Sequence, residues 1–527
     1  MTAAGAVGGP PARRSFGGWQ RDRTAVLLGL SGPRVLLLVA AVAVGVAWFV
    51  AGEQLPTLPA HAAASAVLAG LASVRLAGRT ADEWALTAAC YGLGRARHRH
   101  RFLAAASDPI AHSAAGPAAV VEVGPAVTPA SVGRPDLPGI LAPLRLVEVE
   151  LTVDVRAVVV LHPYDRTATA VARIHTPGLV GVDVATETRR VSGWATFLAG
   201  RCPDAGKVCR VQPVIVAIPD DGQALSRWAL DHLDPAAPGA AVGSYDDLLT
   251  RSAGASVAHA AYLAVSVDLR RARADVAAAG GGDLGAAAAA LRQLRALTAD
   301  VAAAGLSLDG WCTARELAET IRTAFDPAFA GEAARRRVDP DTASGVDVAR
   351  AGPRAAEAGW GVYRHDSGES VTYQVEGWPA SPVHADLLAG LLSPASGRAS
   401  HRLALTIEPI APRRADAMLG AARTARSANL AMRARIGQVA PERERAELAD
   451  AERQDVERAA GHGLCRYLAL LTVTATDRAD LDVACLDLEA AAARIRLELR
   501  RCWGVQDVAF ACTLPLGLGL PSRKGVL

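Results

Sequence analysis

Hydrolysis needs a nucleophile, a base and a group that orients the base. The run Tyr363-Arg364-His365-Asp366-Ser367-Gly368-Glu369-Ser370 offers those residue types in a row. Adjacency does not make a triad, because the side chains must converge in space and those around a tight turn fan out. Asp-Ser-Gly is good turn chemistry, and the alternation after it predicts a strand over 369–376. We therefore expect His365, Asp366 and Ser367 to stand apart on a turn.

Phosphate chemistry has two candidates, and both fail on spacing or context. Gly200–Val208 (GRCPDAGKV) has five residues between Gly200 and Gly206, and Val208 stands where a P-loop needs a magnesium-binding hydroxyl. A helix-to-strand turn is the reading. Gly280, Gly282 and Gly285 fit G-x-G-x-x-G, but Leu269–Ala279 before them is helix-like and charged, where a dinucleotide fold needs a strand. That reads as a joint between helices. The sequence holds no G-x-S-x-G, H-E-x-x-H, EF-hand or zinc spacing. Its eight cysteines form no C-x-x-C pair and sit in apolar surroundings, as reduced buried thiols do. No catalytic, cofactor-binding or metal-ligating set is assigned, and no cofactor is expected.

The elements that would position any site begin with an apolar pair. Val35–Gly52 carries no charge, is bounded by Arg34 and Glu53, and is long enough to cross a core of about 30 Å as a helix. Gln54–Val74 is free of ionisable groups except His61 and is closed by Arg75; it is Ala-rich, with Pro56 and Pro59 at its start. Together they read as a transmembrane hairpin over 34–76. Five arginines precede it, six follow within 75–101, and none lies in the loop at Glu53, which places both flanks in the cytoplasm. Trp19, Arg34, Trp48, Arg75 and Arg79 are the expected anchoring residues. Arg95, Arg97, Arg99 and Arg101 suit anionic headgroups. The chain is thus expected in the cell membrane, multi-pass, with both termini cytoplasmic.

Composition agrees. Residues 1–101 carry eleven arginines against four acids, a net +7, which leaves −4 for the rest of a chain whose formal charge is +3. A body near neutrality with 4% aromatics makes no case for direct nucleic-acid binding. Only Lys207 and Lys524 are lysines, which together with abundant Ala and Gly fits a GC-rich, actinobacterial type of genome.

In order, we read a flexible arm (1–33), the hairpin (34–76), a juxtamembrane helix, basic segment and linker (77–138), and two cytoplasmic domains (139–330 and 346–527). Val155–Leu161 and Thr167–Ile174 predict a β-hairpin, and Thr313–Phe325 a helix ending at Asp326-Pro327. In the second domain the patterns predict a helix at 382–392, strands at 401–409 and 464–474, a helix over 479–501 and a strand at 507–513. A charged insert, 441–460, carries opposite signs at helical spacing, as a solvated helix laced by weak pairs does. The fold class is α/β (α+β): the membrane hairpin, then two sandwich-like domains, with split βαβ units as one form.

Several stretches resemble one actinobacterial family of membrane proteins encoded with integrative conjugative elements. Its members have a PrgI-like N-terminal hairpin and a body like the non-motor N-terminal region of the conjugative type IV secretion ATPase. The stretches are Phe16–Trp19 with Gly29-Leu30, Gly78–Thr80, Thr323–Pro327, Tyr363–Thr372, Gly463–Thr476 and Leu514–Leu518, in that order along the chain. The resemblance implies a non-enzymatic, membrane-anchored scaffold of a conjugation or type IV-like secretion machine. Its partners would be a separate P-loop ATPase, channel subunits and the lipid bilayer, and homo-oligomerisation is compatible with it. A type VII secretion core subunit of the EccE kind is the closest rival, since it shares two N-terminal spans and a juncture like Gly78-Arg79 and Glu83-Trp84. A membrane-tethered hydrolase or transferase is the alternative from another class; it requires polar groups converging in a pocket.

Overall fold

The stretches VRAVVVL and TATAVARI form the antiparallel hairpin their patterns predict, with His162 opposite Thr167. They prove to be two strands of a much larger sheet. The computed structural model describes residues 32–51, 58–73, 75–76, 79–104, 129–152, 155–175, 182–203, 206–219, 222–253, 257–338, 344–379, 383–384, 386–392, 397–435, 437, 439 and 442–519. Among these residues the chain divides into two compact units.

One unit draws on 32–99 and 413–462. It holds α1 (Gly32–Ala51), α2 (Leu58–Ser73), a ribbon of β1 (Arg75–Leu76) with β2 (Arg79–Thr80), and α3 (Ala81–Ala96). Its later part is a pair of long helices, 412–435 and 442–459.

The other unit contains a fourteen-stranded sheet. In chain order its elements are β3 (Arg101–Leu103), β4 (Pro129–Gly133), β5 (Arg145–Thr152), β6 (Val155–His162), β7 (Thr167–His175), α4 (Val184–Ala199), β8 (Val208–Pro219), α5 (Gln223–Asp231), α6 (Gly239–Ala253) and β9 (Val257–Asp268). Then come α7 (Arg273–Ala278), α8 (Gly282–Ala303), β10 (Ser307–Trp311), α9 (Ala314–Phe325), α10 (Ala330–Val338), β11 (Ala355–Ala358), β12 (Tyr363–His365), β13 (Gly368–Gly377) and β14 (Ser400–Ile410). After the helix pair, now α11 (Pro412–Arg435) and α12 (Glu442–Ala459), the sheet resumes with β15 (Leu464–Ala475), α13 (Arg478–Arg494), β16 (Glu498–Arg501) and α14 (Gln506–Ala511).

The strand order is β3-β11-β12-β13-β15-β14-β8-β9-β7-β6-β5-β4, with β10 added to β7 and β16 to β13. Read outward from the β14–β8 junction, the two halves repeat one plan. The register repeats as well. Ala172 on β7 faces Leu263 on β9 and Trp311 on β10, and Tyr373 on β13 faces Leu471 on β15 and Arg501 on β16. Leu263 in turn faces Pro213 on β8, as Leu471 faces Leu403 on β14. Val214 and Ala404 are therefore counterparts, and they pair with each other across the junction. A pseudo-two-fold axis passes through that pair.

Antiparallel sheets often leave one face to water, but this one is covered on both. On β6, Val158 and Val160 enter one core with α9, while Ala157, Val159 and Leu161 enter the opposite one with α8. On β15, Leu468 and Leu470 join the first core, while Leu471 and Val473 meet α13 on the other face. Alternation therefore selects between two apolar surfaces, and the strands read as near-continuous apolar runs. Helix α9 starts where the sequence says it should: Thr313 and Glu316 close a capping box.

The architecture is mixed α+β. Every strand pairing among the described residues is antiparallel, yet β9 and β10 both flank β7, and β15 and β16 both flank β13, so each helical connection joins two parallel strands split by a third, as in a split βαβ unit. The bodies read as 139–330 and 346–527 share this one sheet. Three local expectations are corrected. The helix expected over 382–392 is, among its described residues, a 3-10 turn at Ala389–Leu392. The helix expected to reach Arg501 ends at Arg494, and Glu498–Arg501 pairs with β13. The strand expected at 507–513 is helix α14, because Gln506 and Phe510, one turn apart, both point into the core.

Candidate functional site

Two places could carry function: the apolar hairpin and the turn that holds His365. Ala41 of α1 and Ala72 of α2 are buried, and Ser65 Oγ donates to the Ala41 carbonyl at 2.7 Å. A Cβ added at Gly45 would lie 3.6 Å from that same serine hydroxyl. Small residues thus bring the two backbones close, and the Ser65 hydroxyl is satisfied across the pair. The outward positions are the larger ones: Leu36, Val39 and Val42 are 59–70% exposed. Among the described residues no helix is long and apolar enough to cross a membrane; of the twenty residues in α1, side chains are described for 36–47.

Of the expected anchors, Trp19 lies outside the described residues, Arg34 and Trp48 belong to α1, and Arg75 and Arg79 to the β1–β2 ribbon. Arg95, Arg97 and Arg99 are exposed at the end of α3 and in the turn after it. Arg101 has a different role, since as a strand residue it pairs with Glu357 of β11 at 3.2 Å.

The three side chains at the β12–β13 turn separate, each to its own partner. Asp366 accepts from the backbone N–H groups of Arg354 and Ala355 and pairs with Arg322 at 3.0 Å. Ser367 donates to Asp326 and accepts from the Ala328 N–H. His365 turns inward. Its Nδ1 lies 2.6 Å from the Phe325 carbonyl, which can only accept, so Nδ1 carries the proton. Nε2 must then accept from Ser370 Oγ at 2.7 Å, and Thr474 donates to Ser370 at 2.7 Å. A serine donating to a histidine is how a nucleophile is activated, but Ser370 is wholly buried and His365 is 2% exposed. Burial pushes His365 down to about 4, so the ring is neutral at physiological pH. The arrangement clamps β12, β13, β15 and the end of α9 together.

Around this clamp Phe325, Tyr363, His365 and Phe510 pack with ring centroids 5.0–6.3 Å apart. Arg402 lies over Phe510 at 5.6 Å; burial lowers its pKa to about 10, so it stays charged. The other half carries a counterpart seam. Thr169 donates to Ser266 at 2.7 Å, and Ser266 donates to the Gly517 carbonyl at 3.3 Å. Gln212, which corresponds to Arg402, donates to the Cys512 carbonyl at 2.8 Å and accepts from the Gly517 N–H at 2.9 Å. The segment 512–519 is thereby strapped across the sheet. Neither seam was visible in sequence, because each joins short polar side chains from strands far apart in the chain.

The remaining sequence candidates resolve into structure. Lys207 pairs with Asp275 at 2.5 Å, and Gly206 closes a turn on the Pro203 carbonyl. In the charged insert, Arg453 meets Asp450 within α12, while Asp455 pairs with Arg423 and Arg458 with Asp416, both on α11. Asp455 and Arg458 thus tie α12 to α11 and not to each other. Burial raises the thiols of Cys312 and Cys512 to about 12, which keeps them protonated.

No protein-family model and no curated protein matches this chain.

Proposed function

We propose that this chain is a non-enzymatic scaffold, anchored in the cytoplasmic membrane by the α1–α2 hairpin, that positions a separate P-loop ATPase of a conjugative or type IV-like secretion machine. The observation that carries the reading is the hairpin surface. Fully burying a Val or Leu side chain is worth about 1.5–3 kcal/mol, and α1 turns Leu36, Val39, Val42 and Val46 outward. Small residues inside and large apolar ones outside is the arrangement that lipid favours, since lipid contact gives helices no reason to bury leucine against each other.

The body supports a structural role. Thr323–Pro327, Tyr363–Thr372, β15 and Leu514–Leu518, stretches of the family resemblance, all contribute to one core, at Phe325, Tyr363, Leu470 and Leu514. Their shared property is packing. The test is to purify the full-length protein in mild detergent from its native cell and identify the co-purifying proteins by mass spectrometry. A conjugative ATPase with channel subunits is the expected result. Type VII core components, or a homo-oligomer with no partner, would overturn it.

A further inference from the structure

The turn after β6, the loop after β9 and the first turn of α8 enclose a cavity of about 480 Å³ with a mostly apolar floor. Four arginines line it: Arg145, Arg166, Arg270 and Arg273. The acid that lines it, Asp283, is held by Arg145 at 2.6 Å. Nearby carboxylates have other partners: Asp275 meets Lys207 at 2.5 Å, Asp165 faces Arg210 at 3.5 Å, and Asp268 accepts from the Arg270 backbone N–H at 2.8 Å and lies 3.8 Å from the Arg271 side chain. Among the described residues the side chains of Arg166, Arg270 and Arg273 make no ion pair, so three guanidinium groups border one cavity with no carboxylate bound to them.

The glycine motif acquires a reason here. Gly280, Gly281 and Gly282 have φ of +89°, +73° and +62°, a left-handed run that swings the chain into α8. Gly285 is required by packing, since a Cβ there would lie 2.7 Å from the Val276 carbonyl. The result is a 22-residue helix whose N-cap, Gly281, offers no side-chain acceptor, and Gly282 and Asp283 of its first turn line the cavity.

The pseudo-symmetric half shows what the same place looks like without a ligand to hold. There β15 runs directly into α13, and Asp477 caps the helix by accepting from the Ala479 and Asp480 N–H groups. Three arginines there are paired: Arg478 with Glu369 and Asp482, Arg364 with Glu369, and Arg398 with Asp480. Asp268 makes the matching bond to the Arg270 N–H at the end of β9, so the halves differ in the added glycine turn into α8 and in the three arginines left without a carboxylate partner around a cavity.

We propose that this cavity binds a phosphate-bearing anion, with Arg166, Arg270 and Arg273 as its charged contacts. Guanidinium groups match phosphate oxygens with paired donors, and free N–H groups at a helix start add to them. A soluble phosphate compound and a lipid headgroup share this chemistry, so the test carries both.

Full-length protein in a neutral detergent is titrated calorimetrically with inorganic pyrophosphate and, separately, with dihexanoylphosphatidylglycerol. Each titration is repeated on the triple variant Arg166→Gln, Arg270→Gln, Arg273→Gln. All three side chains are exposed, and an unchanged melting temperature without ligand verifies folding of the variant. Pyrophosphate binding weakened at least tenfold in the variant supports the site and assigns it to a soluble phosphate. Binding of the lipid alone, weakened equally, supports the site and assigns it to a headgroup. Binding of neither probe, or binding the variant retains, overturns the proposal.

Discussion

Replacing His365 with Asn should flatten the acid limb of stability. Burial lowers the pKa of the folded ring from the ordinary 6.5 to about 4, so it is neutral above that pH. Between those values the unfolded chain binds a proton that the folded chain refuses, so stability falls as pH drops from 6.5 through 4 and is unaffected by this group above that window. The slope is one proton, roughly 1.4 kcal/mol per pH unit, and the total is on the order of 3 kcal/mol. Asn keeps a donor for the Phe325 carbonyl but cannot titrate. It leaves the Ser370 hydroxyl short of an acceptor, at about 1–3 kcal/mol independent of pH. The assay is urea unfolding of both full-length proteins by tryptophan fluorescence, in half-unit steps from pH 7.5 to 4.5. Other carboxylates and histidines titrate in both proteins and cancel in the difference. The gap between them should narrow by about one proton's worth per unit below pH 6.5. Parallel curves would refute the buried neutral imidazole.

Four other outcomes follow from the packing. Arg402→Met should raise stability by about 1–3 kcal/mol, because it removes a buried charge that no described carboxylate offsets; a loss in urea unfolding would reveal a compensation not seen in its surroundings. Gly517→Ala should cost several kcal/mol, roughly the sum of left-handed strain and a forced shift. Gly517 has φ +64°, and its Cβ would collide with Ser266 and lie 2.6 Å from Thr169 Oγ1; a change under about 1 kcal/mol would contradict the strap. Lys207→Ala breaks a half-exposed pair and should shift stability by no more than about 1 kcal/mol while leaving DNA transfer intact; lost transfer at normal protein level would reopen phosphate binding there. Deleting 34–76 should move the chain to the soluble fraction on centrifugation, and retention in the membrane pellet would defeat the hairpin as anchor.

What could be read in advance was whatever is written locally. The β6–β7 hairpin, the helix opening at Thr313 and the α7–α8 joint each have their signal within a dozen residues. The errors came where tertiary pairing overrides local preference. Glu498–Arg501 has helix-forming residues but is taken by the open edge of β13. The alternation of 507–513 suggests a strand, yet Gln506 at its edge brackets both the N–H and the carbonyl of Thr372, and a helical turn is needed to bring Phe510 into the same core. The repeated halves escape detection because their counterparts are different residues, Thr169 with Ser266 in one and Ser370 with Thr474 in the other. Only register equates them. The arginines of the cavity come from three separate segments, so their charges average out along the sequence.

The strap over the sheet also constrains the order of events at the ribosome. Gln212 and Gly517 are 305 residues apart, so β8 must be synthesised, and must wait, long before its cover exists. At about 5–20 residues per second that interval lasts some tens of seconds. Through it the amide of Gln212 and the Thr169–Ser266 pair lack their cover, and for roughly the first 190 residues of it, until β14 emerges, β8 stands as a bare edge open to any strand that fits. The strand it is shaped to receive is β14, whose own flank repeats the β8 plan. A second unfinished first half offers nearly the same edge. Nascent chains on neighbouring ribosomes could therefore pair through β8 before their own second halves emerge, and a chaperone that shields this edge would raise yield more than one acting on the finished protein.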